Sequence, residues 1–234
     1  MTSFAVIDLF CGVGGLTHGF EKEGFNVVAG IDYDKSCKHA YEANNKSKFL
    51  HRDIGEMTAS EIENLFPKGS RKILVGCAPC QPFSIFNQQN GGAISETNDQ
   101  RWKLLYSFAD LIKKTKPEII SMENVPLLKR FQKGKVFDDF VATLEAEGYH
   151  ITYETHNAQN YGVPQRRNRL VLLGSLHGKI EMIPATHADN PVTVREAIGS
   201  LPQIKSGEIS EHDPLHRARN LTELSMKRIN STLK

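Results

Sequence analysis

The sequence predicts an α/β fold of the doubly wound type, in which a mostly parallel, Rossmann-like sheet carries helices on both faces. Apolar runs of strand length alternate with helical patterns through the first three quarters of the chain. A glycine-rich turn follows the first apolar run, as at the first strand-to-helix junction of such sheets. Beyond residue 175 the alternation stops and prolines recur, which predicts an extended C-terminal tail.

Short apolar runs predict the strands, and apolar positions at helical spacing predict the helices. Pro117 and Gly148 end two of the helices, since proline cannot continue a helix and glycine favours its C-terminal cap. A further strand is expected just before Asp53. The other predicted strands cover residues 4–10, 25–31, 71–76, 118–123, 151–155 and 170–174, and the predicted helices begin at or cover residues 15–23, 36–44, 102–114 and 136–147.

Length and composition set broad limits on the protein. At 234 residues, the chain allows one large domain at residues 1–175 and an irregular tail at 176–234. The formal net charge of +2 is too small to indicate a nucleic-acid partner by itself. Four cysteines without regular spacing, no long apolar stretch and no N-terminal signal predict a protein of the reducing cytoplasm, most simply a prokaryotic one, without membrane association.

Cys80 is the first candidate catalytic residue. It lies between Pro79 and Pro82 in a turn just after a predicted strand, and the two prolines fix the backbone around the thiol. A thiol presented in this way suits a nucleophile. A redox pair with Cys77 or half of a zinc site are the alternatives, but zinc needs further ligands at similar spacing, and no metal site is expected.

The turn after the first strand is a candidate cofactor site. Gly12, Gly14 and Gly15 allow a close approach of the backbone to a ligand. Asp32 ends the second predicted strand and suits a ribose diol, whereas Asp53, after the third, suits an adenine amine. The spacing of a dinucleotide-binding turn is missing, so a smaller nucleotide-like cofactor is favoured over a dinucleotide, and a simple turn is the alternative.

A glutamate and two arginines complete the candidate site. Glu123 ends a predicted strand, while Arg167 and Arg169 come just before the last one, where strand alternation puts them on the same face. Structural ion pairs are the alternative. Four motifs are therefore expected at carboxyl ends of strands, where open parallel sheets build their sites. They are the Cys80 turn, the glycine turn with its two aspartates, Glu123 and the arginine pair. Together they suit nucleophilic addition to an electron-poor heterocycle followed by methyl transfer.

These motifs resemble those of the cytosine-5 DNA methyltransferases over residues 4 to about 175. The similar segments are Asp-Leu-Phe-Cys-Gly-Val-Gly-Gly from Asp8, Pro-Cys-Gln-Pro-Phe-Ser from Pro79, Glu-Asn-Val from Glu123 and Gln-Arg-Arg-Asn-Arg from residue 165. The resemblance implies a fold of the S-adenosylmethionine-dependent methyltransferase type and S-adenosyl-L-methionine as cofactor. The implied cofactor-binding residues are Asp8, Phe10, Gly12, Gly14, Gly15, Leu16, Asp32, Tyr33, Asp53, Ile54, Pro79 and Leu104, and the implied catalytic residues are Cys80, Glu123, Arg167 and Arg169.

The resemblance also implies a mechanism on double-stranded DNA. A cytosine is flipped out of the helix, Cys80 adds to carbon 6, and Glu123 protonates or hydrogen-bonds ring nitrogen 3. Arg167 and Arg169 hold the base carbonyl, and a loop at residues 84–100 is expected to close over the base. Carbon 5 then accepts the methyl group, as in enzymes that accompany restriction systems.

The chain also departs from the family pattern. The target-recognition segment and the later motifs that complete the cofactor pocket are not found in the sequence. We therefore expect a second chain, or a further C-terminal region, to supply target recognition. The alternatives are a tRNA cytosine-5 methyltransferase, which shares the catalytic residues, and a catalytically incomplete cofactor-binding subunit.

Overall fold

In a computed structural model, the chain folds around a seven-stranded sheet with the strand order β3-β2-β1-β4-β5-β7-β6. The structure describes residues 3–79 and 100–232. The strands are β1 (Phe4–Leu9), β2 (Asn26–Asp32), β3 (Lys48–His51), β4 (Arg71–Gly76), β5 (Ile119–Asn124), β6 (His150–Asn157) and β7 (Asn168–Ser175). The helices are α1 (Gly15–Lys22), α2 (Lys38–Asn44), α3 (Ala59–Leu65), α4 (Leu104–Thr115), α5 (Lys135–Ala146), α6 (Val194–Ile198) and α7 (Glu223–Ser231).

Of the seven described strands, β1 to β6 run in the same direction and β7 runs in the opposite one. The parallel pairs are β1 with β2, β1 with β4, β2 with β3, and β4 with β5. Strand β7 is antiparallel to both β5 and β6, with Asn124 opposite Leu170 and Ile119 opposite Ser175. The amino end of β7 therefore lies at the same edge of the sheet as the carboxyl ends of β1, β2, β4 and β5.

Strand β1 shows why helices cover both faces of the sheet. Its residues are almost completely buried, and successive side chains point to opposite faces. Ala5, Ile7 and Leu9 belong to the larger apolar cluster, which contains the buried faces of α3, α4 and α5. Val6 lies in a smaller cluster on the opposite face, where Leu16 and Phe20 of α1 pack. This arrangement confirms the predicted α/β class with a mostly parallel sheet.

The predicted elements match the structure closely, with three differences. The helix α3 was not predicted, although a capping box between Thr58 and Glu61 marks its start. The tail contains the two short helices α6 and α7. Finally, Arg167 and Arg169 do not lie at the carboxyl end of a strand, as was expected of all four motifs, but at the amino end of β7. They still reach the same edge of the sheet because β7 is antiparallel.

The tail follows β7 and carries many exposed apolar side chains. Leu215 is 89% exposed and Ile183 is 72% exposed, and several side chains of α6 and α7 are also open. The division into a domain at residues 1–175 and a tail at 176–234 stays a prediction. Within the described ranges 3–79 and 100–232, no helix is long and apolar enough to span a membrane.

Gly30 in β2 packs directly under the ring of Tyr41 from α2. A β-carbon built at Gly30 would lie 2.4 Å from the hydroxyl and from two ring carbons of Tyr41. Tyr41 is fully buried and cannot move aside without displacing its neighbours. The glycine is therefore required here for space and not for backbone freedom.

We expect Gly30→Ala to lower the free energy of unfolding by about 1–3 kcal/mol, because the added methyl group overpacks the core. Gly19→Ala is the matched control, since a β-carbon on this exposed helical glycine would meet nothing within 4 Å. The control should be neutral or slightly stabilising, because alanine favours helix over glycine. Urea unfolding of both variants measures the difference, and equal stabilities would contradict the packing argument.

Candidate active site

A cavity of about 850 Å³ opens at the edge of the sheet where the parallel strands have their carboxyl ends. Phe10 follows β1, Asp32 ends β2, His51 ends β3, and Cys77 follows β4. The full lining consists of Phe10, Asp32, Tyr33, Asp34, Lys35, Cys37, His51, Asp53, Ile54, Cys77, Ala78, Pro79, Arg101 and Leu104. The sheet thus brings together residues that lie up to 94 positions apart in the chain.

Asp32 is held in place by backbone groups on both sides. Its Oδ2 accepts a hydrogen bond from the Gly12 amide at 2.8 Å, and its Oδ1 accepts one from the Asp34 amide at 2.8 Å. Gly12 has a positive φ of 52°, a conformation that glycine adopts at little cost. The carboxylate is therefore fixed at the cavity wall, with further lone pairs on both oxygens to accept hydrogen bonds from a ligand.

The second carboxylate and an aromatic ring face the same cavity. Asp53 Oδ1 accepts a hydrogen bond from the Gly55 amide at 2.8 Å, and Oδ2 makes none within the described residues. Phe10 has φ of 60°, which is rare for a residue other than glycine and is tolerated mainly at functional positions. The cavity therefore combines two oriented acceptors with the apolar surfaces of Phe10, Ile54 and Leu104.

A buried hydrogen-bond chain supports the glycine turn from behind. Asp8 Oδ2 accepts hydrogen bonds from the amide of Thr17 at 3.1 Å and from its hydroxyl at 2.7 Å. The chain continues from Thr17 to the Tyr41 hydroxyl at 3.2 Å, then to Ser47 at 2.8 Å, and Ser47 donates to Glu21 at 2.9 Å. These bonds tie the first turns of α1 to β1, α2 and the start of β3.

Asp8 is 1% exposed, and its Oδ1 has no hydrogen-bond partner among the described residues. Loss of solvation raises the pKa of this carboxyl to about 7, although the hydrogen bonds from Thr17 oppose the shift, and the charge of Asp32 adds a smaller increase. Asp8 does not line the cavity. Its contacts make it a support for the helix start.

Glu123 is held from two sides at the end of β5. Arg169 of β7 donates from Nε to Glu123 Oε1 at 2.6 Å, and Cys77 donates from Sγ to Oε2 at 2.8 Å. Both partners in the ion pair are partly buried, with 22% and 27% of their side chains exposed. The pair is therefore less screened by water than a fully exposed one.

The chain after β4 is fixed to both neighbouring strands. The Cys77 amide donates to the Leu9 carbonyl of β1 at 3.2 Å, and Asn124 Nδ2 of β5 donates to the Ala78 carbonyl at 3.1 Å. Asn124 is 1% exposed, so this bond is protected from water. Cys77 lines the cavity and contacts Glu123, and it therefore joins the two halves of the site.

The predicted nucleophile Cys80 and most of the loop at residues 84–100 lie outside the described residues. The structure describes the chain on either side, up to Pro79 and again from Gln100. Pro79 lines the cavity next to Cys77 and Ala78. Among residues 3–79 and 100–232, no group of three or more histidine, cysteine, aspartate or glutamate side chains is arranged to hold a metal ion.

With this geometry established, comparison with known proteins identifies the family. The family model of the C-5 cytosine-specific DNA methylases matches residues 4–233. The chain belongs to this family. The match confirms the family that the sequence motifs indicated, and it includes the tail.

Several relatives of this chain are known. It is 47% identical over 226 residues to the Type II methylase M.HgiDII of Herpetosiphon aurantiacus, covering 96% of this chain and 62% of the relative. It is 33% identical to the Type II methyltransferase M.MthTI of Methanothermobacter thermautotrophicus, covering 86% of this chain and 58% of the relative. A solved structure of a candidate DNA modification methyltransferase from an E. coli prophage superposes with a TM-score of 0.72 at 26% identity, covering 88% of this chain and 57% of the other. The chain thus spans 57–62% of the length of these proteins.

The fold gathers most of the predicted cofactor-site residues at one cavity, but not all of them. The predicted cofactor residues that line the cavity are Phe10, Asp32, Tyr33, Asp53, Ile54, Pro79 and Leu104. Those that do not line it are Asp8, Gly12, Gly14, Gly15 and Leu16, which build the turn and the start of α1 behind Asp32. Arg169 contacts Glu123, whereas Arg167 has no ion pair within the described residues.

Two residues that support the candidate site were missed by sequence reasoning. Tyr41 packs against both Gly14 and Gly30, yet it looks like an ordinary helical residue in the sequence. Cys77 was considered only as a redox or zinc partner of Cys80, whereas its thiol donates to Glu123. No local pattern signals either contact, because each depends on strands that are distant in sequence.

We expect burial of Asp8 to make stability fall as pH rises. Because its folded pKa of about 7 exceeds the ordinary value of 3.8, the folded state binds the proton more tightly than the unfolded state. The free-energy cost of burying the ionised Asp8 carboxylate is absent below about pH 4. It grows as the pH rises from about 4 to about 7 and is complete above about pH 7. The melting temperature of the wild type, relative to Asp8→Asn, should therefore fall from pH 5 to pH 8.

Asp34→Asn is the control for this measurement. Asp34 is exposed, and hydrogen bonds from Ser36 hold its pKa below the usual value, so it stays ionised over that pH range. The difference in melting temperature between the wild type and Asp34→Asn should be constant from pH 5 to pH 8. Parallel curves for the wild type and Asp8→Asn would contradict the assignment.

Proposed function

We propose that this chain carries the catalytic part of a DNA (cytosine-5-)-methyltransferase. It would transfer a methyl group from S-adenosyl-L-methionine to carbon 5 of a flipped-out cytosine in double-stranded DNA, through a covalent Cys80 adduct. The observation that supports this most strongly is the contact of Cys77 with Glu123, which joins a two-carboxylate cavity to the Glu123 and Arg169 pair. The segment that holds Cys80 follows this junction directly in the chain.

The cavity fits S-adenosyl-L-methionine, the cofactor that the family and fold imply. Its two carboxylates are acceptors for the ribose hydroxyls and the adenine amine, and its apolar side chains provide surfaces for the adenine ring. We assign Asp32 to the ribose, Asp53 to the amine, and Phe10, Ile54 and Leu104 to the ring. When bound, the cofactor supplies an electrophilic methyl group on a sulfonium.

The remaining residues act on the base. The Cys80 thiolate forms a bond to carbon 6, which makes carbon 5 nucleophilic, while Glu123 hydrogen-bonds or protonates ring nitrogen 3. Arg169 fixes the Glu123 carboxylate, and we assign the base carbonyl to Arg169 and Arg167, which line the same cavity. After methyl transfer, loss of the carbon 5 proton and breakage of the sulfur–carbon bond regenerate Cys80 and the aromatic ring.

We further propose that additional polypeptide, in the same chain or as a second chain, supplies target recognition. The relatives are longer than this chain, and the apolar side chains of α6, α7 and the segments around them are open to solvent. Burying them against further polypeptide would stabilise both parts. The Type II names of the relatives support a role beside a restriction system in a prokaryotic cytoplasm.

Incubation with tritiated S-adenosyl-L-methionine tests the proposed function. The chain, with and without the C-terminal region of a relative such as M.HgiDII, is offered duplex DNA or tRNA, and the labelled base is identified. We expect 5-methylcytosine in the DNA only. Label in tRNA alone would support the RNA-directed alternative. Cofactor binding without label in either the DNA or the tRNA would support a non-catalytic subunit.

Two substitutions should separate chemistry from cofactor binding. Cys80→Ser should lower methyl transfer at least about a thousandfold, because the nucleophile is lost, and leave cofactor affinity by calorimetry within about twofold. Asp53→Ala should weaken cofactor binding about tenfold or more through loss of a charged hydrogen bond. At saturating cofactor, this second variant should still form a covalent complex with a 5-fluorocytosine duplex. Equal loss of both properties in either variant would contradict the assigned roles.

We expect Cys77 to act as a positioning residue for Glu123. Cys77→Ala removes the thiol donor and should lower the single-turnover rate about tenfold, whereas Cys77→Ser retains a donor and should stay within about threefold. Cys37→Ala is the matched control, because Cys37 lines the same cavity but makes no hydrogen bond to Glu123 in the described residues. Equal rates for the alanine and serine variants would exclude a role for the hydrogen bond.

A further inference from the structure

We propose that His51 is a positioning residue for the cofactor, which holds the turn after β2 so that the Tyr33 ring stays at the wall of the cavity. His51 ends β3 and lines the cavity, and no sequence motif singled it out. The inference rests on the proposed function for the identity of the cofactor. It adds a residue that acts through Tyr33, which was already among the implied cofactor residues.

The turn after β2, at residues 33–37, has little support of its own. Its hydrogen bonds are local: the Asp34 amide donates to Asp32 Oδ1 at 2.8 Å, and the Ser36 amide donates to Asp34 Oδ1 at 2.9 Å. Residues 33–36 are exposed, and Tyr33 is 72% exposed, so packing does little to fix the Tyr33 ring. A contact from a neighbouring element is therefore needed to hold this part of the cavity wall.

His51 supplies this contact from β3. Its Nε2 lies 2.7 Å from the backbone carbonyl oxygen of Tyr33. A carbonyl oxygen can only accept a hydrogen bond, so Nε2 of His51 carries a proton and donates it. The centroids of the two rings are 6.2 Å apart, and the ring planes are tilted by 50°. One side chain therefore restrains both the backbone and the ring of Tyr33.

The position of His51 is itself fixed by the pairing of β2 with β3. His51 lies opposite Asp32 in this parallel pair, and the Arg52 amide donates to the Asp32 carbonyl at 3.1 Å. The imidazole therefore projects from a strand end that is tied to the residue just before Tyr33. Asp32 does not need His51 in return, because its carboxylate is held by the amides of Gly12 and Asp34.

This arrangement predicts an effect on cofactor binding and not on the chemical step. Tyr33 follows the carboxylate that we assign to the ribose, and both residues line the cavity. An aromatic ring that is held in one orientation loses less entropy when it packs against a ligand. Glu123 and Arg169 belong to β5 and β7 and are held by other contacts. Loss of the His51 contact should therefore raise the KM for the cofactor and leave kcat unchanged.

Three histidine variants test the inference, with S-adenosyl-L-methionine as the probe in calorimetry and in the methyl-transfer assay. His51→Ala removes the donor, whereas His51→Gln places an amide nitrogen that can donate to the same carbonyl. His39→Ala is the matched control, because His39 is an exposed histidine of α2 that does not line the cavity. Thermal unfolding checks that all variants are folded.

We expect His51→Ala to weaken cofactor binding about three- to tenfold, the range that loss of one hydrogen bond gives. The KM for the cofactor should rise by the same factor, while kcat at saturating cofactor stays within about twofold. His51→Gln should restore binding to within about twofold of the wild type, and His39→Ala should match the wild type. A general structural defect would not be rescued by glutamine.

A double-mutant cycle tests whether His51 acts through the Tyr33 ring. Tyr33→Ala removes the ring but keeps the carbonyl that His51 contacts. If the ring carries the effect, adding His51→Ala to Tyr33→Ala should weaken binding by less than about twofold. The same factor in both backgrounds would show that His51 acts on the cofactor directly or through another group, and would overturn the inference.

The outcomes separate this inference from the proposed function. Methyl transfer by the wild type, together with unchanged cofactor affinity in His51→Ala, would overturn the inference alone and leave the proposed function standing. A fall in kcat without a rise in KM would also overturn it, because His51 would then serve the chemical step. No binding of S-adenosyl-L-methionine by the wild type would overturn the proposed function and the inference together.

Discussion

The ion pair between Glu123 and Arg169 depends on the reversed direction of β7. In a fully parallel sheet, the residues that precede a strand would lie at the edge opposite the carboxyl ends of its neighbours. Because β7 runs antiparallel to β5, the residues just before it meet the end of β5, and Leu170 comes to lie opposite Asn124. One change of strand direction therefore supplies a cation to a site otherwise built from strand ends and the loops after them.

The cofactor side of the site relies on a different constraint, the packing behind the glycine turn. Tyr41 fills the space beneath Gly14 and Gly30, and its hydroxyl continues the hydrogen-bond chain that starts at Asp8. This support is costly, because Asp8 loses its hydration and one of its oxygens has no partner in the described residues. The cost is consistent with a site that needs Asp32 and the Gly12 amide in fixed positions, since rigid acceptors lose little entropy when a ligand binds.

Much of the fold and of the candidate site was predictable from the sequence, because the decisive signals were local. The buried runs of β1 and β4, the glycine turn and the acids at the ends of strands each appear within a few residues. The direction of β7 was not predictable from its own residues, since alternation reads the same in both directions. The Cys77 thiol and the Tyr41 ring were missed for a related reason. Their partners, Glu123 and Gly30, become neighbours only when separate strands and helices pack.

The contact between Cys77 and Glu123 also limits how the two halves of the site can influence each other. Cys77 lines the cavity at the carboxyl ends of the strands, while Glu123 pairs with Arg169. Both oxygens of Glu123 already accept hydrogen bonds, so in the proposed function a base that presents ring nitrogen 3 to Glu123 must share or replace one of them. The thiol is the weaker donor of the two, and its loss costs less than loss of the guanidinium. A ligand atom that reaches Oε2 would therefore displace the Cys77 thiol, at the wall of the cavity, before the Arg169 guanidinium.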